Sequence, residues 1–325
     1  MWGTGNCGLD GLAALPDGFG QRGLGLDAIR FVYEVLFGPG LVTAPAYLAL
    51  AGLGAWLVWR RQGRGQGFWR WLLPARIWGH PSHLIDLQLF VLGRILAVFG
   101  VFSGVALTTA VAAWVAGLIP ALLPADSLGP VALAFLLWLP SDLALYWMHR
   151  FFHRFRAIWP LHAVHHSAEV MTPFTAYRQH PLSLLLTAWG VAVFVGLCQG
   201  LLLGSVVADL AVAEIAGINL FIVLANAGFA ALHHSHVWLS YGPVLERIVI
   251  SPAQHQIHHS TDPAHYGKNL GNSLAVWDWM FGTLYVIRGD EQLTFGLTQP
   301  EERPLMTQRI GPVLLDPIRR MLRLG

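Results

Sequence analysis

Four stretches of this 325-residue chain are too long and too apolar to serve as the core elements of a soluble domain: Leu41–Trp59, Ile95–Leu123, Val131–Met148 and Leu182–Leu232. The first two have no charged residue, the third only Asp142, and the fourth only Asp209 and Glu214. About 20 apolar residues in a helix cross the hydrocarbon of a bilayer, where each backbone N–H and C=O must be paired within the segment. The composition agrees, with 55% hydrophobic and 12% charged residues against the roughly 25% charge of soluble domains. The fold class expected is therefore all-α, a polytopic membrane protein. The fourth stretch has room for two crossings with a turn between about Gln199 and Asp209, giving about five transmembrane helices.

Arginines orient those crossings, because short cytoplasmic loops collect the positive residues. Arg60, Arg61, Arg64, Arg70, Arg76 and Arg94 lie between the first and second stretches, and Arg150, Arg154, Arg156 and Arg178 follow the third. The Pro124–Pro130 loop and the Gln199–Asp209 turn have no basic residue. Alternation places the N-terminus outside, the C-terminus inside and a helical, histidine-rich cap on the cytoplasmic side. The first 20 residues lack the basic start of a signal peptide and read as mature sequence. One integrated domain is expected in three parts. Residues 1–130 hold a tail, two spans and a basic loop, residues 131–288 hold the histidines, and 289–325 form a cytoplasmic tail.

The net charge of +2, from 20 basic and 18 acidic residues, is too balanced and dispersed for a nucleic-acid partner. Cys7 and Cys198 are the only cysteines and form no CxxC pair, so neither a disulfide framework nor a thiolate cluster is present in the sequence.

Histidines dominate instead: 13 of the 15 lie between His149 and His265. His149 and His153 are four apart, and His162, His165 and His166 are spaced i, i+3, i+4, as are His255, His258 and His259. On helices those spacings bring side chains to one face. His233, His234 and His236 follow the last apolar stretch, and His180 stands alone. His80, His83 and His233 read as ordinary interfacial or hydrogen-bonded side chains. Two triplets and a pair collect eight imidazoles that would repel if protonated, and a metal is the natural reason to gather them. That number exceeds the four ligands of one tetrahedral ion, so two metal ions are expected. Imidazole suits iron, zinc, copper and nickel alike. The HExxH motif of zinc proteases and the Glu-x-x-His pattern of soluble di-iron bundles are both absent.

Asp142 precedes His149 by seven residues inside an apolar span, and is expected either to orient a ligand imidazole or to pair with Arg178. Asn226, Asn269 and Asp278 are further supporting candidates. Trp138, Tyr146, Trp147 and Trp159 read as an interfacial aromatic belt.

Taken together, the motifs over Val131–Val286 resemble the fatty acid hydroxylase and sterol desaturase superfamily. The carriers are Asp142 with Tyr146-Trp147-Met148-His149-Arg150, His153, His162-x-x-His165-His166-Ser167 and Arg178-Gln179-His180-Pro181. They continue through His234-Ser235, Ser251-Pro252-x-x-His255-x-x-His258-His259-Ser260 and Trp277-Asp278-x-x-Phe281-Gly282-Thr283. The resemblance implies a di-metal centre, two iron ions in active enzymes with zinc compatible in isolated protein, ligated by His149, His153, His162, His165, His166, His234, His255, His258 and His259. His236, where many relatives have asparagine, is carried as a further ligand candidate. His180, with Asp142, Asn269 and Asp278, is carried as a non-ligand catalytic candidate, and His265 resembles a position near the site.

The activity implied is O2-dependent hydroxylation or desaturation of a lipid, a fatty acyl chain, sterol or related molecule, entering from the bilayer. With no iron–sulfur, haem-attachment or dinucleotide motif in the chain, a separate electron-donor protein is implied. The location expected is a bacterial inner membrane, with the histidine site facing the cytoplasm. A zinc-dependent non-oxidative lipid enzyme and a histidine-based metal-handling protein are the alternatives. The topology predicts that a cysteine placed at Ser127 reacts with an impermeant external reagent and one placed at Ala168 does not; strong external labelling in the histidine region contradicts it.

Overall fold

The computed structural model describes residues 23–38, 41–62, 65–120, 129–205 and 230–324. Before the second half of the histidine region the principal helices are α1 Gly23–Phe37, α2 Pro45–Arg61, α3 Pro81–Val98, α4 Val105–Ala116, α5 Pro130–Arg154, α6 Trp159–His166 and α7 Pro181–Ser205, with short helices at Phe68–Leu72 and Ala75–Trp78 between α2 and α3. After it come α8 Ala230–His233, α9 Pro252–His258, α10 Val276–Met280 and α11 Ile310–Leu324, with a short helix at Gly242–Leu245 between α8 and α9. The described residues hold no sheet, only isolated antiparallel bridges pairing Val249 with Leu274 and Ser260 with Phe295.

Among the described residues, three helices are long and apolar enough to cross a membrane: Pro81–Val98, Val131–Arg154 and Pro181–Ser205. These make the chain an integral membrane protein. The expected second span, Ile95–Leu123, is not one helix. It breaks at Phe99–Gly104, where Gly100 takes the left-handed φ of +70°, and its first residues belong to α3, which begins as early as Pro81. Arg94, assigned to a loop from the sequence, thus lies within α3. The second half of the Leu182–Leu232 stretch, with Asp209, Glu214 and Asn226, falls largely outside the described residues, as does Ser127.

Glycines set the closest helix contact. A Cβ on Gly196 would lie 2.8 Å from the Val111 Cβ, one on Gly200 2.6 Å from the Val115 Cβ, and one on Gly204 2.9 Å from the Ala116 Cα. The register climbs in step on both helices, so α4 and α7 run parallel along a Gly-x-x-x-Gly-x-x-x-Gly stripe. Lipid tails are as apolar as leucine, so helices in a bilayer associate by close backbone approach more than by hydrophobic exclusion.

Below the spans, two short helices carry both HxxHH triplets. Each opens with proline in its first turn, Pro160 in α6 and Pro252 in α9, where a missing N–H costs nothing. In α9 the Ser251 hydroxyl accepts the Gln254 N–H while the Gln254 side chain accepts the Ser251 N–H, a reciprocal cap that holds a helix of only seven residues. The C-terminal segment is more than a polar tail: Leu305 and Val313 are fully buried against Ala163 and Val164 of α6. Ala168 is 1% exposed, so silence there has no bearing on sidedness, and exposed Ala264 is the better cysteine position.

The α4–α7 seam predicts that Gly200→Leu overpacks and destabilises by about 1–3 kcal/mol, whereas Gly52→Ala, with open space around its Cβ, costs nothing. Thermal unfolding followed by size-exclusion chromatography checks this; an unchanged midpoint for Gly200→Leu contradicts the close approach.

Candidate metal centre

Nine of the ten histidines named as ligand candidates come together as two groups. His149, His153, His162, His166 and His258 form one, and His165, His234, His255 and His259 the other, with the ligand nitrogens of each group within 4.8 Å of one another. Each triplet divides in the same way. On a helix of 3.6 residues per turn, i and i+4 lie about 40° apart while i+3 lies about 60° to the other side. Accordingly His162 and His166 enter the first group and His165 the second, whereas His255 and His259 enter the second and His258 the first. The shared helices hold the groups side by side, with the His166 and His259 rings stacked at 4.5 Å between centroids.

The donor atoms fit metal ions. The Nε2 atoms of His149, His153, His162, His166 and His258 are buried without a hydrogen-bond partner. In the second group, the His234 Nε2 lies 3.2 Å from that of His165 and 2.9 Å from that of His255, which is itself 3.2 Å from that of His259. An imidazole nitrogen carries either one proton or one lone pair. The His234 and His255 nitrogens, each touching two others, cannot satisfy both contacts by hydrogen bonding. Ligands about 2.1 Å from a common ion sit roughly 3.0–3.4 Å apart, and these spacings match. Burial, reinforced by neighbouring imidazoles, lowers the pKa of His162, His166, His255, His258 and His259 far below the usual imidazole range; burial lowers His165 to about 3. The rings are thus held neutral, the form that binds metal.

Backbone carbonyls aim two ligands. The His149 Nδ1 lies 2.8 Å from the Leu270 carbonyl and the His258 Nδ1 2.8 Å from the Lys268 carbonyl; donation there leaves each Nε2 with its lone pair. The loop bearing those carbonyls is fastened by Asn269 and Asp278. Asn269, at a φ of +52°, donates to the Gln254 carbonyl at 3.1 Å and accepts the Tyr285 N–H at 2.7 Å. Asp278 accepts the Leu270 and Gly271 N–H groups at 2.7 and 2.8 Å and the Thr283 hydroxyl at 2.6 Å. Burial raises its pKa to about 6 despite those donors. A side chain at Gly271 would meet the Asp278 Oδ2 at 2.7 Å, so glycine is required there. Both residues therefore act on the ligands through the loop, and neither belongs to the ligand groups.

Three other candidates sit elsewhere. Asp142 touches neither a histidine nor Arg178; it accepts the Ser273 and Leu274 N–H groups at 3.1 Å and the Trp277 indole at 2.9 Å, satisfying a carboxylate buried in the span. His180 engages both nitrogens, accepting the Leu182 N–H at α7 and meeting the Leu314 carbonyl of α11 at 3.0 Å. His236 lies outside both groups, its Nε2 2.9 Å from the Trp71 carbonyl. His80 and His83 have the ordinary roles expected, a helix cap and a contact with Thr172.

Arg178 pairs instead with Asp86 of α3, at 3.0 Å and fully buried. The same guanidinium donates to the Val164 carbonyl and to Ser167, gripping the end of α6 that carries His165 and His166. Asp86 has no motif to mark it in the sequence. The aromatic set divides as well. Tyr146 is fully buried, and Trp159 packs on His153 and His166 while donating to Glu302 at 2.7 Å. His233, read as interfacial, is 4% exposed and stacks on His255 at 5.3 Å.

Residues 133–283 match the family described as fatty acid hydroxylase. This segment belongs to the fatty acid hydroxylase family. The alkylglycerol monooxygenase of Danio rerio is 32% identical over 178 residues, 55% of this chain and 35% of that protein. The ornithine lipid hydroxylase of Rhizobium tropici is 27% identical over 53% of this chain and 47% of its own, and a Delta(7)-sterol-C5(6)-desaturase of Nicotiana tabacum 29% identical over 44% and 46%. The match thus spans a third to a half of the length of these relatives. No solved structure matches significantly. All nine clustered histidines lie inside the hydroxylase segment, whereas Asp86 and the α11 contact to His180 lie outside it.

Metal analysis of acid-digested protein tests the grouping. His258→Ala and His255→Ala should each lower the metal-to-protein ratio, additively when combined, and His236→Ala should leave it unchanged. A His255→Ala variant with full metal content contradicts the second group.

Proposed function

We propose that this chain is a membrane di-iron oxygenase that hydroxylates or desaturates a lipid with O2 and electrons from a separate donor protein. The single observation carrying this reading is the pair of adjacent all-imidazole groups at the foot of membrane-length helices, within a segment of the hydroxylase family. Relatives named as an alkylglycerol monooxygenase, an ornithine lipid hydroxylase and a sterol desaturase support it.

Two ions follow from the division of nine nitrogen donors into five and four. Iron, when bound, supplies the O2-dependent oxidation of an unactivated C–H bond, chemistry that imidazole side chains alone lack. The hydroxylation balances as RH + O2 + 2 electrons + 2 H+ giving ROH and H2O; desaturation with the same inputs removes two hydrogens and releases two waters. The protein contributes orientation and dryness. The Leu270 and Lys268 carbonyls fix His149 and His258, while Phe152 and Trp159 cover ligand rings from the apolar side. Exclusion of bulk water protects a strong oxidant from quenching.

The arginine alternation favours an inner-membrane protein with this site on the cytoplasmic side, where a soluble reductant has access. Zinc in isolated protein is compatible with the same nitrogen donors, and a zinc-dependent non-oxidative enzyme is the alternative.

Iron-loaded protein, a competent reductase system and isotopically labelled oxygen gas, applied to mixed membrane lipids, should yield lipid carrying one labelled oxygen or lacking two hydrogens. His153→Ala should abolish both products. Full iron occupancy with no labelled lipid, no new alkene and no oxygen uptake contradicts the oxygenase reading.

A further inference from the structure

The C-terminal helix α11 lies at the level where two membrane-length helices begin. Its Leu314 carbonyl meets the His180 Nε2 at 3.0 Å, one residue before α7 starts at Pro181. Val313 is buried in one cluster with Ile85 and Leu89 from the first half of α3, and Leu314 packs against that cluster. Two separate contacts thus hold α11 beside the foot of the crossing helices. On an adjacent side α3 presents a stripe of exposed apolar residues, Leu84, Val91 and Ile95, as a helix in lipid does. All of α11 lies outside the segment that matches the hydroxylase family, so nothing about it follows from that match.

The face of α11 turned away from those contacts is amphipathic. Leu315 and Leu322 are 51% and 77% exposed, and Arg319 and Arg323 are exposed beside them. Their spacing of i, i+4, i+7 and i+8 puts all four on one face. At about 100° per residue the leucines fall between Leu314, which packs on the bundle, and the two arginines. Neither of these arginines makes a hydrogen bond or ion pair among the described residues, whereas Arg320, on the inner flank, reaches Glu302 at 3.7 Å. Asp316, the only acidic residue of the helix, is partly buried. A lone exposed leucine is ordinary. Two on one face, beside unpaired arginines and level with the start of α3 and α7, fit surroundings that are apolar on one side and anionic on the other.

We infer that α11 lies in the plane of the bilayer surface, with Leu315 and Leu322 in the lipid and Arg319 and Arg323 on the phosphate groups of anionic phospholipids. The order around the helix, bundle then leucines then arginines, is the order an interfacial helix needs: apolar side chains enter the acyl boundary while the long guanidinium stems reach the head groups. Guanidinium suits this place because its planar fork takes two phosphate oxygens at once. Free phosphate leaves the leucines without a role, and a face for a water-soluble protein has no reason to lie level with the lipid-facing stripe of α3. On its opposite side α11 closes the underside of α6, through Val313 against Ala163 and Val164. The lipid contact therefore sets how deep the histidine cap sits against the bilayer. None of this depends on the oxygenase reading.

Fluorescence quenching in nanodiscs tests the surface on the full-length chain. In a Cys7→Ser, Cys198→Ser background, one fluorophore is attached through Leu322→Cys and, as an aqueous control, through Ala264→Cys, an exposed loop position. The label at 322 should be quenched by lipids bearing a nitroxide near the top of the acyl chain and shielded from iodide; the label at 264 should show the reverse. Phosphatidylglycerol carrying the nitroxide should half-quench the label at 322 at a mole fraction at least about fivefold lower than phosphatidylcholine, since one arginine near an anionic surface contributes about that factor. Arg319→Gln combined with Arg323→Gln should bring the two lipids together while the protein elutes as before in size-exclusion chromatography. Quenching at 322 by iodide and by neither lipid overturns the proposal and frees the face for a protein partner. Equal quenching by both lipids before the arginines are changed, or a preference that survives their loss, also overturns it.

Discussion

Nine imidazoles packed with their nitrogens converging are unstable neighbours by themselves. Protonated, they repel; neutral, their nitrogens crowd one another in a buried site, at 2.9–3.2 Å in the group of His165, His234, His255 and His259. Metal ions resolve both problems at once, because each ion takes several lone pairs and favours the deprotonated ring that burial already imposes. The surrounding structure serves to hold the nitrogens in that arrangement. Arg178 and Asp86 grip the end of α6, Ser251 and Gln254 cap α9, and Asp278 and Asn269 fasten the carbonyls that aim His149 and His258.

Motif spacing is legible wherever a short segment sets geometry by itself. The i, i+3, i+4 triplets brought their histidines to the site because α6 and α9 are helical there, and proline in the first turn with a Ser-x-x-Gln cap announces α9 in the sequence. The spacing by itself does not announce which histidine joins which group, although the helical angles contain it. The contacts of Asp142 and His180 are hard to read from the sequence for a common reason: each meets backbone groups 131 or more residues away, and the sequence carries no sign of a carbonyl or an N–H. His236 stands two residues from His234 and so suggests a ligand, but the structure carries it to the Trp71 carbonyl. His233 reads as interfacial in the sequence yet is buried, since its place beside His234 says nothing of burial.

The membrane segments show the same division. Apolar length identified α5 and α7, but the break at Phe99–Gly104 lies inside an uninterrupted apolar run, where hydropathy is blind and only the glycines hint at it. Likewise the Gly-x-x-x-Gly stripe of α7 is present in the sequence, whereas its partner, α4, and the parallel register emerge only from packing. The C-terminal residues, polar in composition, supply Leu305 and Val313 to the underside of α6 and the Leu314 carbonyl to His180. They form part of the support for the metal site.

Anomalous diffraction from crystals of the metal-loaded protein tests the central claim most directly. The account predicts two peaks per chain, one about 2.0–2.3 Å from Nε2 atoms of the His149, His153, His162, His166 and His258 group, the other at the same distance from those of His165, His234, His255 and His259. A single peak, or metal bound away from these nitrogens, would contradict it.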